Sequence, residues 1–172
     1  MRRERRRGAA HPAGRLSTIL GAGAHASRTP SSRRSPDRRG HVDAALVAFV
    51  ATTDLARSHT FYGEVLGLGY VETTPFANVY DAGGTRLRVT LVDRVASAPY
   101  TVLGWTVPDI TAAIEDLATR GVPFERYEGV DQDSAGVWTA PGGARIAWFR
   151  DPDGNVLSLT QMRGTADEAY EA

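Results

Sequence analysis

Residues 144–161 read ARIAWFRDPDGNVLSLTQ, two alternating apolar runs joined by Asp151-Pro152-Asp153-Gly154. Proline presets φ inside the turn and glycine accepts the left-handed position, so the stretch predicts a β-hairpin of strands 144–150 and 155–161. Further strands are expected at 122–128 and 136–139. Before them, TVLGWTV (101–107) reads as a strand, and Asp109 opens a helix whose Ile110, Ala113, Ile114, Leu117 and Ala118 share one face until Gly121 stops it. The same order occurs earlier in the chain. ALVAFVAT (45–52) is a strand, Asp54 opens a helix carrying Leu55, Ser58, Phe61, Tyr62, Val65 and Leu66 on one face, and Gly67 ends it. Strands follow at 68–74, 76–81 and 85–93, the last two joined by Asp81-Ala82-Gly83-Gly84. The helix-opening aspartates stand 55 residues apart and the turn aspartates 70, so the second half carries fifteen extra residues, placed around 128–143. Each half is a βαβββ unit, and the fold class is α+β.

The 172 residues contain no cysteine, which excludes disulfides, thiolate metal sites and a catalytic thiol. The formal charge of zero is a cancellation. Residues 1–40 hold eleven Arg against Glu4 and Asp37, a net +9, while residues 41–172 hold nine Arg against eighteen acids. The first segment is rich in Arg, Ser, Gly and Pro without an apolar period, and is expected to be a disordered extension. One reading makes it a basic arm for nucleic acid or anionic lipid; the other makes it a passive tail or the product of a mis-assigned start. The second reading is preferred, so no nucleic-acid partner is expected. No stretch approaches the ~20 apolar residues of a membrane span, and a cytoplasmic location is expected. The ordered part is expected at 41–163, as modules 44–93 and 100–161, with 164–172 a flexible tail.

The duplicated βαβββ unit resembles the vicinal oxygen chelate superfamily, which contains glyoxalase I, extradiol dioxygenases, fosfomycin-resistance transferases and bleomycin-binding resistance proteins. The resemblance is carried by Asp54-Leu55-Ala56-Arg57-Ser58, Phe61-Tyr62, Val65-Leu66-Gly67-Leu68, Val107-Pro108-Asp109-Ile110 and Phe149-Arg150-Asp151-Pro152-Asp153-Gly154-Asn155. It implies that each module curls into a half-barrel, with a helix on the convex face and a concave face enclosing a pocket. It also implies metal-ligand positions on the first and last strand of each module. Counted from the helix-opening Asp and the turn Gly, those positions hold Val47, Arg88, Val102 and Ser158, which cannot bind a divalent metal. His41 and His59 lie elsewhere, and His59 reads as a surface or packing residue on a helix.

Alternation sets Leu87, Val89 and Leu91 beneath the helix and Arg86, Arg88 and Thr90 opposite. Leu103, Trp105 and Val107 likewise oppose Val102, Gly104 and Thr106, and Leu157 and Leu159 oppose Ser158 and Thr160. The expected ligand-binding residues are Phe49, Arg88, Thr90, Thr106, Trp148 and Ser158. Arg88 reads either as an anchor for a carboxylate or phosphate, or as a member of an internal ion pair or a solvent-facing strand residue. Trp138 and Trp148 read either as ring-stacking surfaces or as core. The acidic run Glu125, Glu128, Asp131 and Asp133 reads either as a lure for a cationic drug or as a solvated loop. No catalytic residue, metal or cofactor is assigned. The expected function is metal-independent binding and sequestration of a small molecule, an antibiotic or metabolite, by a homodimer. The alternative is a glyoxalase-type lyase or dioxygenase using atypical ligands such as Glu72, Glu125 or Glu128.

Overall fold

A computed structural model describes residues 44–164, so the expectations for 1–40 and, beyond Gly164, for the C-terminal tail lie outside the described residues. Strand β1 (Val47–Thr52) leads to α1 (Leu55–His59), which continues as a π-helical turn (Thr60–Val65). Strands β2 (Gly69–Thr74), β3 (Ala77–Ala82) and β4 (Thr85–Leu91) complete the first module. The second contains β5 (Leu103–Thr106), α2 (Ile110–Thr119), β6 (Trp138–Thr139), β7 (Arg145–Arg150) and β8 (Val156–Gln161). The two four-stranded sheets have matching orders, β1-β4-β3-β2 and β5-β8-β7-β6, with the first and last strands parallel and the other pairs antiparallel.

Both aspartates cap their helices as the spacing predicts. Asp54 accepts from the backbone N–H groups of Ala56 and Arg57, and Asp109 from those of Thr111 and Ala112. Gly67 and Gly121 take positive φ where the helices stop, a conformation that costs other residues more. Two expectations change. The first helix is not α-helical to its end: Leu66 N–H reaches back five residues to the Phe61 carbonyl, at 2.8 Å. Phe61 and Tyr62, at the start of this turn, are both buried, as their shared face predicts. The expected strand at 122–128 is absent as a regular strand, leaving one bridge between Phe124 and Phe149. Pro123 has no N–H for a ladder, and beyond Glu125 the loop bonds to its own side chains.

One apolar core draws residues from both modules, with Val50, Tyr62, Leu66, Leu87 and Val89 from the first and Ile110, Leu117, Phe149, Leu157 and Leu159 from the second. The modules are also pinned by the 151–155 turn. Asp153, whose side chain is 3% exposed, accepts from Thr52 Oγ1 at 2.7 Å, from the Thr53 N–H and Oγ1, and from Arg57. Asn155 Nδ2 donates to the Ala51 carbonyl, and the buried Tyr62 hydroxyl donates to Asp151 Oδ2, both across the modules. Burial and the neighbouring Asp151 carboxylate raise the Tyr62 phenol far above its ordinary value, so it remains a donor.

Burial alone would raise the Asp153 carboxyl, but the Thr53 and Thr52 hydrogen bonds and the Arg57 guanidinium outweigh it and hold it below its ordinary value. A depressed carboxyl contributes stability that is complete above its unfolded-state value, near pH 4, and is lost as pH falls through the lower folded-state value. Asp153→Asn is therefore expected to lower unfolding free energy at pH 7 by about 1.5–3 kcal/mol, the worth of hydrogen bonds to a charged group. In urea titrations the gap between the two proteins should narrow below about pH 4, where the native carboxyl also protonates; a gap independent of pH would contradict this account.

Candidate functional site

Each sheet has one face against the core and one turned away from its helix. In the first module α1 packs on β3 and β4, with Val50, Leu87 and Val89 beneath it. The opposite, open face carries Val47, Phe49 and Ala51 from β1 and Arg86, Arg88 and Thr90 from β4, with Phe49 beside Arg88 and Ala51 beside Thr90. Arg88 is flanked on its other side by Val79 of β3. In the second module α2 packs on β7 and β8, and the open face carries Gly104, Thr106, Trp138, Ile146, Trp148, Arg150, Ser158 and Thr160. The alternation read from sequence is the alternation observed, except that Leu91, expected beneath the helix, is 40% exposed at the end of β4. Val79 and Val156 are buried on the open faces although neither belongs to the main core.

All six expected binding residues lie on open faces, three in each module. Phe49, which is 63% exposed, and Arg88 are neighbours, as are Trp148 and Ser158. No hydrogen bond, ion pair or ring contact among the described residues joins Arg88, Phe49 or Thr90 to Thr106, Trp148 or Ser158. The ion pairs among the described residues are Arg57–Asp153, Arg120–Asp116 and Arg150–Glu125, and half-buried Arg88 belongs to none of them. The internal ion-pair reading of Arg88 thus finds no partner there. The Thr90 hydroxyl is buried and likewise lacks a hydrogen-bond partner among the described residues.

The remaining candidates sort by environment. His59 accepts or donates at Nδ1 to the Tyr80 hydroxyl, 3.1 Å away, and lies edge-on to Tyr70, on the helix side of the sheet. Burial pushes the Tyr80 phenol up to about 12. Glu125 pairs with Arg150, and Asp133 is occupied by the N–H groups of Ala135 and Val137, so the acidic run does not converge on one point. Glu72 does reach the open face: a bulge between Tyr70 and Glu72 makes it the register partner of Val79. Its carboxylate stands alone, for among the described residues no three His, Asp or Glu side chains are grouped to hold a metal. Missed from sequence were Tyr127 and Gln132, which sit in the loop of the fifteen-residue excess; that excess was the signal for them.

Gly104 fits Ser158 closely. A Cβ at residue 104 would lie 2.5 Å from Ser158 Oγ and 3.3 Å from its carbonyl oxygen. Gly104→Ala is expected to destabilise the protein by about 1–3 kcal/mol. Adding Ser158→Ala should recover most of that loss, because it removes the colliding oxygen; a double variant as unstable as the sum of the single ones would place the strain elsewhere.

Residues 38–159 match the family described as the Glyoxalase/Bleomycin resistance protein/Dioxygenase superfamily. A protein of that superfamily from Sphaerobacter thermophilus superposes with a TM-score of 0.56 at 25% identity, over 70% of this chain and 98% of its own. A fosfomycin resistance protein from Listeria monocytogenes gives 0.57 at 14% identity, over 74% and 98%. Lactoylglutathione lyase from Agrobacterium tumefaciens gives 0.52 at 18%, over 76% and 98%. No curated protein matches the chain.

Proposed function

The chain belongs to the glyoxalase/bleomycin resistance/dioxygenase superfamily, and on that premise we propose that it binds and sequesters a small anionic molecule without a metal ion. The observation that carries the reading is Arg88. It occupies a position where the family resemblance implies a metal ligand, on the open face, half-buried and without an acidic partner among the described residues. A guanidinium repels a divalent cation and forms bidentate hydrogen bonds to a carboxylate or phosphate. Val47, Val102 and Ser158 at the other implied positions supply two aliphatic chains and one neutral hydroxyl, a donor set that does not fit zinc, nickel, manganese or iron. Lewis-acid activation through these four residues has no chemical basis, so binding is the activity they support. Phe49 beside Arg88 offers apolar contact, and the Thr90 hydroxyl an additional polar group.

Arg88→Ala is expected to weaken binding of small carboxylates and phosphates about ten- to a hundredfold, the loss of a charge-assisted hydrogen bond of about 1.5–3 kcal/mol. The melting temperature should change little, since the arginine gives up no ion pair. Equal affinities for wild type and variant, or binding of cations only, would defeat the reading. Metal analysis of purified protein should find no stoichiometric metal. One zinc, nickel, manganese or iron per chain would instead favour the lyase or dioxygenase alternative, with Glu72 as the first ligand to test.

The open faces also carry exposed Val47, Phe49 and Val102, which fits assembly about a two-fold axis. A homodimer is expected in sedimentation velocity at tens of micromolar, and a pure 18.5 kDa species would exclude it. No helix among the described residues is long and apolar enough to cross a membrane.

A further inference from the structure

The two modules repeat one scaffold, so equivalent positions can be compared directly. Register places Phe49, Arg88 and Val79 in one row of the first module, and Gly104, Ser158 and Trp148 in the corresponding row of the second. One step outward, Thr74 pairs with Ala77 where Trp138 pairs with Ile146. The first module thus holds the cation with Val79 and Glu72 outward of it, while the second holds Trp148 in that row, Trp138 in the next and no cation in either.

The indoles do not serve the core. Trp105 and Phe124 pack against it, whereas Trp138, Trp148 and Tyr127 are outside both the core and the residues packed on it. Instead they pack on one another. Trp138 and Trp148 stack with centroids 6.1 Å apart and planes 29° apart, and Tyr127 meets Trp148 edge-on at 5.6 Å. All three are only partly buried. Trp148 is oriented by its Nε1–H donating to Thr101 Oγ1. Tyr127 and Trp138 sit at opposite ends of the loop that the sequence identified as extra, and one side chain closes that loop. Gln132 accepts from the Tyr127 N–H at 2.8 Å and donates to the carbonyls of Glu125 and Gly136 at 3.0 and 2.7 Å. A bridge between Gln132 and Trp138 ties the loop to β6.

We propose that this loop, clamped by Gln132, builds an aromatic wall with Trp148 that takes a planar ring, so that the ligand is an aromatic carboxylate or phosphate. The proposal rests on the Arg88 reading for its anion and adds the ring. Half-exposed rings held in fixed orientation lose little conformational freedom when a flat group packs on them, and an offset or edge-on contact rewards aromatic over saturated rings. Gln132 is a positioning residue, acting through Tyr127 and Trp138.

The test compares 2-naphthoate with cyclohexanecarboxylate by calorimetry. Wild type should prefer naphthoate about tenfold. Trp148→Leu should abolish the preference while leaving cyclohexanecarboxylate affinity near wild type. Gln132→Glu keeps an acceptor for the Tyr127 N–H but cannot donate to the two carbonyls. It should reduce the preference, and with it the exciton-split circular dichroism of the stacked indoles, with the melting temperature little changed. Equal affinities in wild type, or a preference that survives Trp148→Leu, would overturn the proposal. Failure of the Arg88 reading is seen separately, as Arg88→Ala binding both carboxylates like wild type. In that event 2-naphthol against cyclohexanol reads the wall alone, and equal binding of those two would overturn it.

Discussion

The joint between Asp153 and the β1–α1 junction is the constraint on which the arrangement depends. The shared apolar core holds the modules together, but non-directional packing does not by itself fix how one is oriented against the other. The Asp151-Pro152-Asp153-Gly154-Asn155 turn does so with side chains the turn itself requires. Asp151 closes the turn by accepting from the N–H groups of Asp153 and Asn155, and also accepts the buried Tyr62 hydroxyl of the first module. Asp153, freed from that task, points outward into four donors of residues 52–57. One of them, Thr53, is also bonded to Arg57, so the carboxylate completes a small network rather than a single pair. Among the described residues the first module's turn has no counterpart: Asp81 there accepts the N–H of its own Gly84. The joint is one-sided, and removing Asp153 takes an acceptor from Thr52, Thr53 and Arg57 together.

Most of this architecture was legible because it depends on local chemistry. Asp54, Asp109 and the 151–154 turn announce themselves by residue type, and strict alternation in 85–91 and 156–160 fixed which side chains face away from the helices. Legibility failed where tertiary contacts override periodicity. The shared face of Phe61, Tyr62, Val65 and Leu66 was read correctly, but the π turn at 60–65 has no mark in the apolar period. Residues 122–128 have strand-like composition, yet Pro123 and the carbonyls held by Gln132 divert them. The bulge that carries Glu72 onto the open face was equally hidden, since a one-residue slip has no compositional mark. Of the candidate site, the six residues fell on the expected faces, but their division into two trios that no hydrogen bond, ion pair or ring contact joins among the described residues was not foreseen. That division is a property of how the modules meet.

Duplication explains why the site is divided and why the halves differ. Copies of one unit begin with equivalent faces, and a metal bound between equivalent faces needs donors from both. With Val47, Arg88, Val102 and Ser158 at those positions, the proposed metal-free reading lifts that demand, and each face would serve a different part of a ligand. The second module shows the consequence in its length: the extra loop gives the core Val137 and, outside the core, supplies Tyr127 and the clamp for Trp138.

Stability considerations press in the same direction. A guanidinium half removed from water, with no acid beside it among the described residues, costs solvation that nothing in the sheet returns. An aliphatic residue at 88 would pack against Phe49 and Val79 at no such cost. Likewise three aromatic rings held partly in solvent forgo the burial that the same rings would gain in a core. Both features sit on open faces, and both leave free energy unspent in the unliganded protein. Under the proposed reading a flat anion would recover it, the charge satisfying Arg88 and the ring covering Trp148, so that the residues stabilising the fold least would be the ones that bind.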